Sequence, residues 1–164
     1  MNELDEYKIG YAYLLEMQQI SHARDNLKLE LNIFQDGLHS IDLTRNKANS
    51  RVNTDERLLN LIYQKEEKIA VYLECCVIIA RFERLMFEYG GLNVAYMIEC
   101  IFKTNSKPKA INLFASRYQV SKSLANDSFK LLCLTITRCE EINANTPPVL
   151  KDIIKKVKEK LESE

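Results

Sequence analysis

The side chains with the clearest chemical potential are the Lys and Arg residues of segment 103–138. Residues 101–138 carry seven Lys or Arg against one acid, Asp127, which is a net charge of +6, whereas residues 1–100 have a net charge of −5. The whole chain has a formal net charge of zero, but a phosphate backbone meets the local field of a surface. Cations clustered in this way predict contacts with the phosphates of a nucleic acid.

The stretch AINLFASRYQVSKSLANDSFKLL within this basic segment has the pattern of a helix-turn-helix. Such a motif joins two short helices by a tight turn, and a small residue in the first helix lets the second approach. We expect Ala115 to be that small residue, and Ser121 to cap the second helix. Gln119 stands where a Gly is common in the turn, and Ala125 and Ser128 take places usually filled by larger apolar residues.

The second helix of such a motif lies in the major groove of DNA, with its N-terminal residues at base edges. Lys hydrogen-bonds guanine and Asn hydrogen-bonds adenine there, and a helix N-terminus favours a phosphate. We expect the Lys and Arg residues of the first helix to hold phosphates. The candidate DNA-binding residues are therefore Lys107, Lys109, Arg117, Ser121, Lys122, Ser123, Asn126 and Lys130.

Two long helices are predicted ahead of the basic segment, because apolar residues recur at steps of three and four over residues 4–38 and 55–89. Gly37 is expected to end the first helix and Gly90-Gly91 the second. The polar residues 39–53 are expected to form a loop, so the two helices should lie antiparallel as a hairpin.

The second long helix is expected to begin at a capping box made by Asn53 and Glu56. Its apolar side chains form one stripe, which can bury the stripe of the first helix or pair with a second copy in a dimeric bundle. The stripe contains Leu58, Ile62, Ile69, Leu73, Val77 (or Cys76) and Ala80.

Only four Gly and three Pro occur in 164 residues, and no segment has the period of a strand, so the fold class is predicted to be all-α. Shorter helices are predicted after Gly91, at 93–102, 109–118, 121–142 and 149–161. The expected domains are a helical hairpin with a dimerisation region, a helix-turn-helix domain and a C-terminal amphipathic helix. Their boundaries are 1–90, 91–145 and 146–164, respectively.

The sequence predicts a cytoplasmic location and no membrane contact. The start MNELDEYKIG lacks the basic residues and apolar run of a signal peptide. The most apolar stretch, around residues 77–80, is too short to span a bilayer. The helix at 149–161 lacks aromatic residues, so packing on the domain or dimerising is favoured over lying on lipid.

No constellation in the sequence favours catalysis, so we expect a protein that is not an enzyme and needs no cofactor. The only histidines, His22 and His39, are predicted at the surface, and Gly90-Gly91 is not followed by the Lys-Ser/Thr of a phosphate-binding loop. The five cysteines include no Cys-x-x-Cys pair, so no metal site is expected, and their odd number suggests unpaired thiols.

These residues are compatible with two functions. The first is a dimeric, sequence-specific DNA-binding regulator that contacts double-stranded DNA through the helix-turn-helix. The alternative is a helical adaptor or inhibitor that binds another protein, with the basic segment against an acidic partner surface.

The layout of residues 50–140 also resembles the small phage transcriptional regulators of the RinA and ArpU type, which control late genes in phages of Gram-positive bacteria. The resemblance includes the start TDERLLNLI of the second long helix, and a pair of short helices like sigma region 4 with VSKS at the turn. It implies promoter binding and late-gene activation beside a host RNA polymerase, in a bacterial cytoplasm. The matching recognition-helix positions are Ser121, Lys122, Ser123 and Asn126.

Overall fold

The structure is a computed structural model that describes residues 2–40 and 51–144, with the side chains of 2–32 and 56–142. The described residues form five helices and no strand, so the protein is all-α. The helix expected at 149–161 lies outside the described residues.

The two long helices are both longer than the sequence predicts. Helix α1 covers Glu3–Ser40 and helix α2 covers Arg51–Phe102. Gly37 does not end α1, because a Gly only weakens a helix interior and ends it where the chain turns left-handed. The capping box at Asn53 is also wrong, since α2 already begins two residues earlier.

The Gly90-Gly91 pair interrupts α2, so the range Arg51–Phe102 consists of two helical parts that meet at a kink. Gly91 has φ 75° and ψ −168°, a conformation essentially restricted to glycine, and the helix continues on both sides of it. At Gly90 a Cβ would meet the side chain of Val94 at 2.7 Å. The expected end of the long helix at this pair is therefore confirmed as a break at Gly91, and the short helix predicted at 93–102 is the part of α2 that follows the break.

Three shorter helices follow. Helix α3 covers Lys107–Tyr118, with Pro108 in its first turn where the missing N–H costs nothing. Helix α4 covers Lys122–Arg138, and α5 covers Glu140–Ala144. The single helix predicted over 121–142 is thus interrupted at Cys139, whose backbone leaves the helical region with φ −78° and ψ 105°.

The chain divides into two compact units, and the described residues of the first are 2–21 and 79–144. The first part of α1 packs there against α4 and the end of α2. Gln18 is buried and its Nε2 donates to the carbonyl oxygens of Ile101 at 2.9 Å and Thr104 at 2.6 Å. The largest fully buried side chains are Leu14, Met17, Ile79, Leu85, Met86, Val94, Met97, Ile98, Phe129, Leu132 and Ile136.

The second unit is residues 22–78. None of its described side chains, those of 22–32 and 56–78, is buried. An ion pair between Lys68 Nζ and Glu30 Oε2 at 2.7 Å joins its two helical segments. Among the side chains of this unit that the structure describes, ten large apolar ones are exposed: Leu29, Leu58, Leu59, Leu61, Ile62, Tyr63, Ile69, Val71, Leu73 and Val77.

Candidate nucleic-acid interface

The turn between α3 and α4 is as tight as the sequence predicts. Gln119 adopts a left-handed conformation, with φ 53° and ψ 44°, and its N–H donates to the carbonyl oxygen of Ala115. The N–H of Val120 donates to the same carbonyl at 3.1 Å. A non-glycine residue in this region costs about 1–2 kcal/mol. These two hydrogen bonds, which close the end of α3, help to offset that cost.

Several small residues of the motif are packed inside the unit. Ala110 and Ala125 are completely buried, whereas Ala115, expected as the small contact residue, is only half-buried. Ser128 is also buried, and its hydroxyl donates to the carbonyl oxygen of Leu124 at 2.9 Å, which satisfies its polar group inside the unit. Ala125 and Ser128, which depart from the usual motif, therefore suit this packing.

The start of α4 presents the exposed cationic end of the motif. Ser121 is the N-cap predicted from the sequence, and its Oγ accepts from the N–H of Leu124 at 3.2 Å. Lys122 and Ser123 follow it and are exposed. Lys109 is exposed near the start of α3. Among the described residues, neither Lys109 nor Lys122 has an ion-pair partner.

The second half of α4 is neutralised by the first turn of α1. Lys130 Nζ lies 2.5 Å from Glu3 Oε1, and Arg138 Nη2 lies 2.7 Å from Glu6 Oε2. The hydrogen bond from Lys130 holds the pKa of Glu3 below its ordinary value, and the same bond raises the pKa of Lys130. Lys130 is therefore exposed but already paired.

Arg117 is also paired, with the carboxylate of Glu99 at the end of α2. The distance from Arg117 Nη1 to Glu99 Oε1 is 3.0 Å, and Lys103 Nζ lies 2.6 Å from the same oxygen. The hydrogen bonds from Lys103 and then Arg117 lower the pKa of Glu99, and the carboxylate raises the pKa of Arg117. Two of the basic residues in segment 103–138 thus share one acid.

Lys107 is held among aromatic rings at the start of α3. Its Nζ donates to the hydroxyl of Tyr7 at 2.9 Å, and lies 5.5 Å from the centroid of the Tyr7 ring and 4.9 Å from that of Phe129. A cation at such distances is attracted by the negative face of the ring. Lys107 therefore helps to seat α1 on α4.

Asn126 is exposed on α4, but its Nδ2 donates to the carbonyl oxygen of Lys122 in the same helix at 2.9 Å. An amide has a second donor hydrogen and a carbonyl oxygen, so Asn126 keeps capacity for a base edge. It borders a cavity of about 450 Å³ between the start of α1 and α4. The cavity is lined by Glu3, Leu4, Tyr7, Lys107, Asn126, Asp127 and Lys130.

The contact of α1 with α4 is not predicted by the sequence pattern above. Glu3, Glu6 and Gly10 recur at steps of three and four and so follow one face of α1, but this row does not identify the helix that packs against it. Two acids and a residue without a side chain on one face fit a close approach to a basic helix. None of the three is apolar, so an apolar stripe along α1 does not include them.

The described residues contain no group of three or more His, Cys, Asp or Glu side chains placed to hold a metal ion. None of the helices, over the ranges the structure describes, has a stretch that is both long and apolar enough to cross a bilayer.

Comparison with known proteins gives no relative: no protein-family model, curated protein or solved structure matches the chain.

Proposed function

We propose that this protein is a sequence-specific DNA-binding transcriptional regulator that contacts duplex DNA through the start of α4. The observation that carries the proposal is the exposed, capped N-terminus of α4, where Lys122 and Ser123 stand beside the positive end of the helix dipole. A phosphate is favoured at such an end, and Lys109 on α3 adds a second exposed cation.

The exposed residues divide by the chemistry they offer. Lys109 and Lys122 provide charge for phosphates, while Ser123 and Asn126 provide hydrogen-bonding groups for base edges. Arg117 and Lys130 contribute only after leaving their carboxylate partners. A protein that neutralises few phosphates binds weakly as a monomer, because each neutralised phosphate adds to the electrostatic part of the affinity.

Dimerisation is the second part of the proposal. Leu73 and Val77 are 55% and 68% exposed, and they belong to the apolar stripe of α2. Burying this stripe against a second copy removes apolar surface from water and brings two recognition helices to one DNA site. Control of late genes, a host RNA polymerase as partner and a bacterial cytoplasm are proposed from the resemblance alone.

Selection of bound sequences from random duplex DNA tests sequence specificity. Fluorescence anisotropy then compares the wild type with the Lys109→Ala/Lys122→Ala double variant on a selected duplex. The slope of log K against log salt should become shallower by about 0.9 for each phosphate that the variant no longer neutralises. The matched control is Lys8→Ala/Lys28→Ala, which removes the same charge from α1. An equal loss of affinity in both variants, or no binding at low salt, would contradict the proposal.

The alternative is a helical adaptor or inhibitor that binds a host or phage protein. The observation that favours it is the same exposed stripe, together with the neutralised second half of α4. Its test is a pull-down from host lysate treated with nuclease, with the wild type and a Leu73→Ser/Val77→Ser variant as baits. The alternative is supported if the chain selects no DNA and retains one protein that this variant does not retain.

A further inference from the structure

The first turn of α1 carries acids that bind α4 directly. Glu3 pairs with Lys130, and Glu6 Oε2 accepts a hydrogen bond from Arg138 Nε at 2.8 Å and lies 2.7 Å from Arg138 Nη2. A carboxylate that accepts from a guanidinium in this way makes the bond that a DNA phosphate makes. Two cations of the proposed recognition helix therefore already hold anionic oxygen atoms of their own chain.

Contacts other than these ion pairs also hold α1 on α4. Gly10 lies so close to α4 that a Cβ there would meet the backbone of Cys133, at 1.9 Å from its carbonyl oxygen. The Thr137 hydroxyl donates to the backbone carbonyl of Glu6 at 2.7 Å. Tyr11 packs edge-on against Phe129, with ring centroids 5.7 Å apart. The carboxylates are thus presented to Lys130 and Arg138 by backbone and aromatic packing.

We propose that the first turn of α1 is a built-in competitor of DNA phosphate, which occupies Lys130 and Arg138 through Glu3 and Glu6. This inference rests on the proposed function. The side chains of Glu3, Lys130 and Arg138 are largely exposed, whereas that of Glu6 is only 21% exposed. Ion pairs in such surroundings are weak, so the turn lowers affinity for DNA without abolishing it. DNA whose phosphates reach only the start of α4 is then bound through Lys122, while Lys130 and Arg138 remain paired with Glu3 and Glu6.

The experiment is an anisotropy titration of the full chain against a fluorescein-labelled, random-sequence DNA duplex, repeated between about 50 and 200 mM salt. The test variant is Glu3→Gln/Glu6→Gln, which keeps the shape of both side chains and removes their charge. The control is Asp5→Asn/Glu16→Gln, which removes the same charge from the same helix. None of the ion pairs found among the described residues involves Asp5 or Glu16. Circular dichroism confirms that both variants fold.

We expect the test variant to bind about threefold more tightly for each ion pair removed, which is about tenfold in total. Its salt slope should steepen by about 0.9 for each cation that gains a phosphate. The control variant should gain less affinity for DNA, because it only makes the net charge of the protein more positive. If the wild type binds DNA, and the test and control variants have equal affinities and equal salt slopes, the proposal that α1 competes with phosphate is wrong. The proposed function is then unaffected. Absence of binding by every form at low salt overturns both.

Discussion

The two units of this protein share one kind of sequence pattern and differ in what the pattern buries. In the unit that includes 2–21 and 79–144, Leu14, Met86 and Phe129 are completely or almost completely buried. In the unit of 22–78, the side chains of the same helical period, such as Leu73, stay exposed. A helical period therefore predicts where a helix forms, and the packing partner decides whether its apolar face stabilises the chain.

The largest expected difference between the two units is in the rate at which their cysteine thiols react. Cys75 and Cys76 in the 22–78 unit are half-buried, whereas Cys100, Cys133 and Cys139 are buried. Burial raises the pKa of Cys133 to about 12, so the thiolate that reacts is scarce as well as inaccessible. With iodoacetamide and mass spectrometry, we expect Cys133 to be labelled at least about a thousandfold more slowly than Cys76, because labelling requires unfolding.

A uniform labelling rate at all five cysteines would contradict the difference between the units. Denaturant provides the control, because all five thiols should then react alike. Burial also raises the pKa of Cys75, which lowers the fraction of its thiol that is present as the reactive thiolate.

The contribution of side chains to stability should follow the same division. Phe129→Ala is expected to lower the free energy of unfolding by about 4 kcal/mol, because it removes a buried ring and leaves a cavity. Leu73→Ala should lower it by less than about 0.5 kcal/mol in the monomer, since the side chain is already exposed. Urea unfolding followed by circular dichroism at low protein concentration measures both changes.

The effect of Leu73→Ala on the free energy of unfolding should depend on protein concentration if the chain forms a dimer. If the apolar stripe pairs with a second copy, the cost of Leu73→Ala should increase at high protein concentration, where wild-type dimer is stabilised by mass action. The cost of Phe129→Ala relative to wild type should then change little. A large cost of Leu73→Ala at every concentration would show that the monomer already buries the stripe.

The glycine at the contact between α1 and α4 gives a third comparison. Ala is a better helix former than Gly by about 1 kcal/mol, so Gly10→Ala would stabilise an isolated helix. Here we expect a decrease of about 3 kcal/mol in the free energy of unfolding, because the new Cβ meets the backbone of Cys133. The control is Ala23→Gly, at an exposed position of the same helix, which should cost only about 1 kcal/mol. A neutral Gly10→Ala would mean that α1 and α4 lie farther apart.

Gly10 also shows why only part of this structure could be predicted from the sequence. The all-α class, the short helix α3 and the Ser121 cap follow from local rules about periodicity, capping and turns, and the structure confirms them. The contact of Glu3 and Glu6 with α4 joins residues more than 120 positions apart. No local rule reaches that far, and an acidic first turn is usual for any helix because it suits the helix dipole.

The sequence supplies the residue types of the candidate site, but it does not show which of these side chains are available for binding. Lys122 and Lys109 are exposed, as binding to a phosphate requires. Lys107, Arg117 and Lys130 are equally basic in the sequence, yet each has a partner that folding supplies. The net charge of +6 for residues 101–138 leaves out the acids of α1 and Glu99 that lie beside them.

The smallest expected effect is a pH dependence of the first unit through Glu99. Its carboxylate accepts from Lys103 and Arg117, and its pKa is lowered from 4.5 by these bonds. A carboxyl with a lowered pKa in the folded state contributes stability at pH values above 4.5, and this stability is lost as the pH falls through the folded-state pKa. The side chain is 40% exposed, so solvent screens the pair and the contribution should be under about 1 kcal/mol.

Urea unfolding of wild type and Glu99→Gln at pH 7 and about pH 3 measures this contribution. The difference in free energy of unfolding between the two proteins should be smaller at about pH 3 than at pH 7. Glu88→Gln, whose carboxylate lies 3.8 Å from Arg84, is the control and should show a smaller change of this difference. A wild-type advantage that persists unchanged in acid would show that Glu99 stabilises the unit through packing, and that its charge contributes nothing.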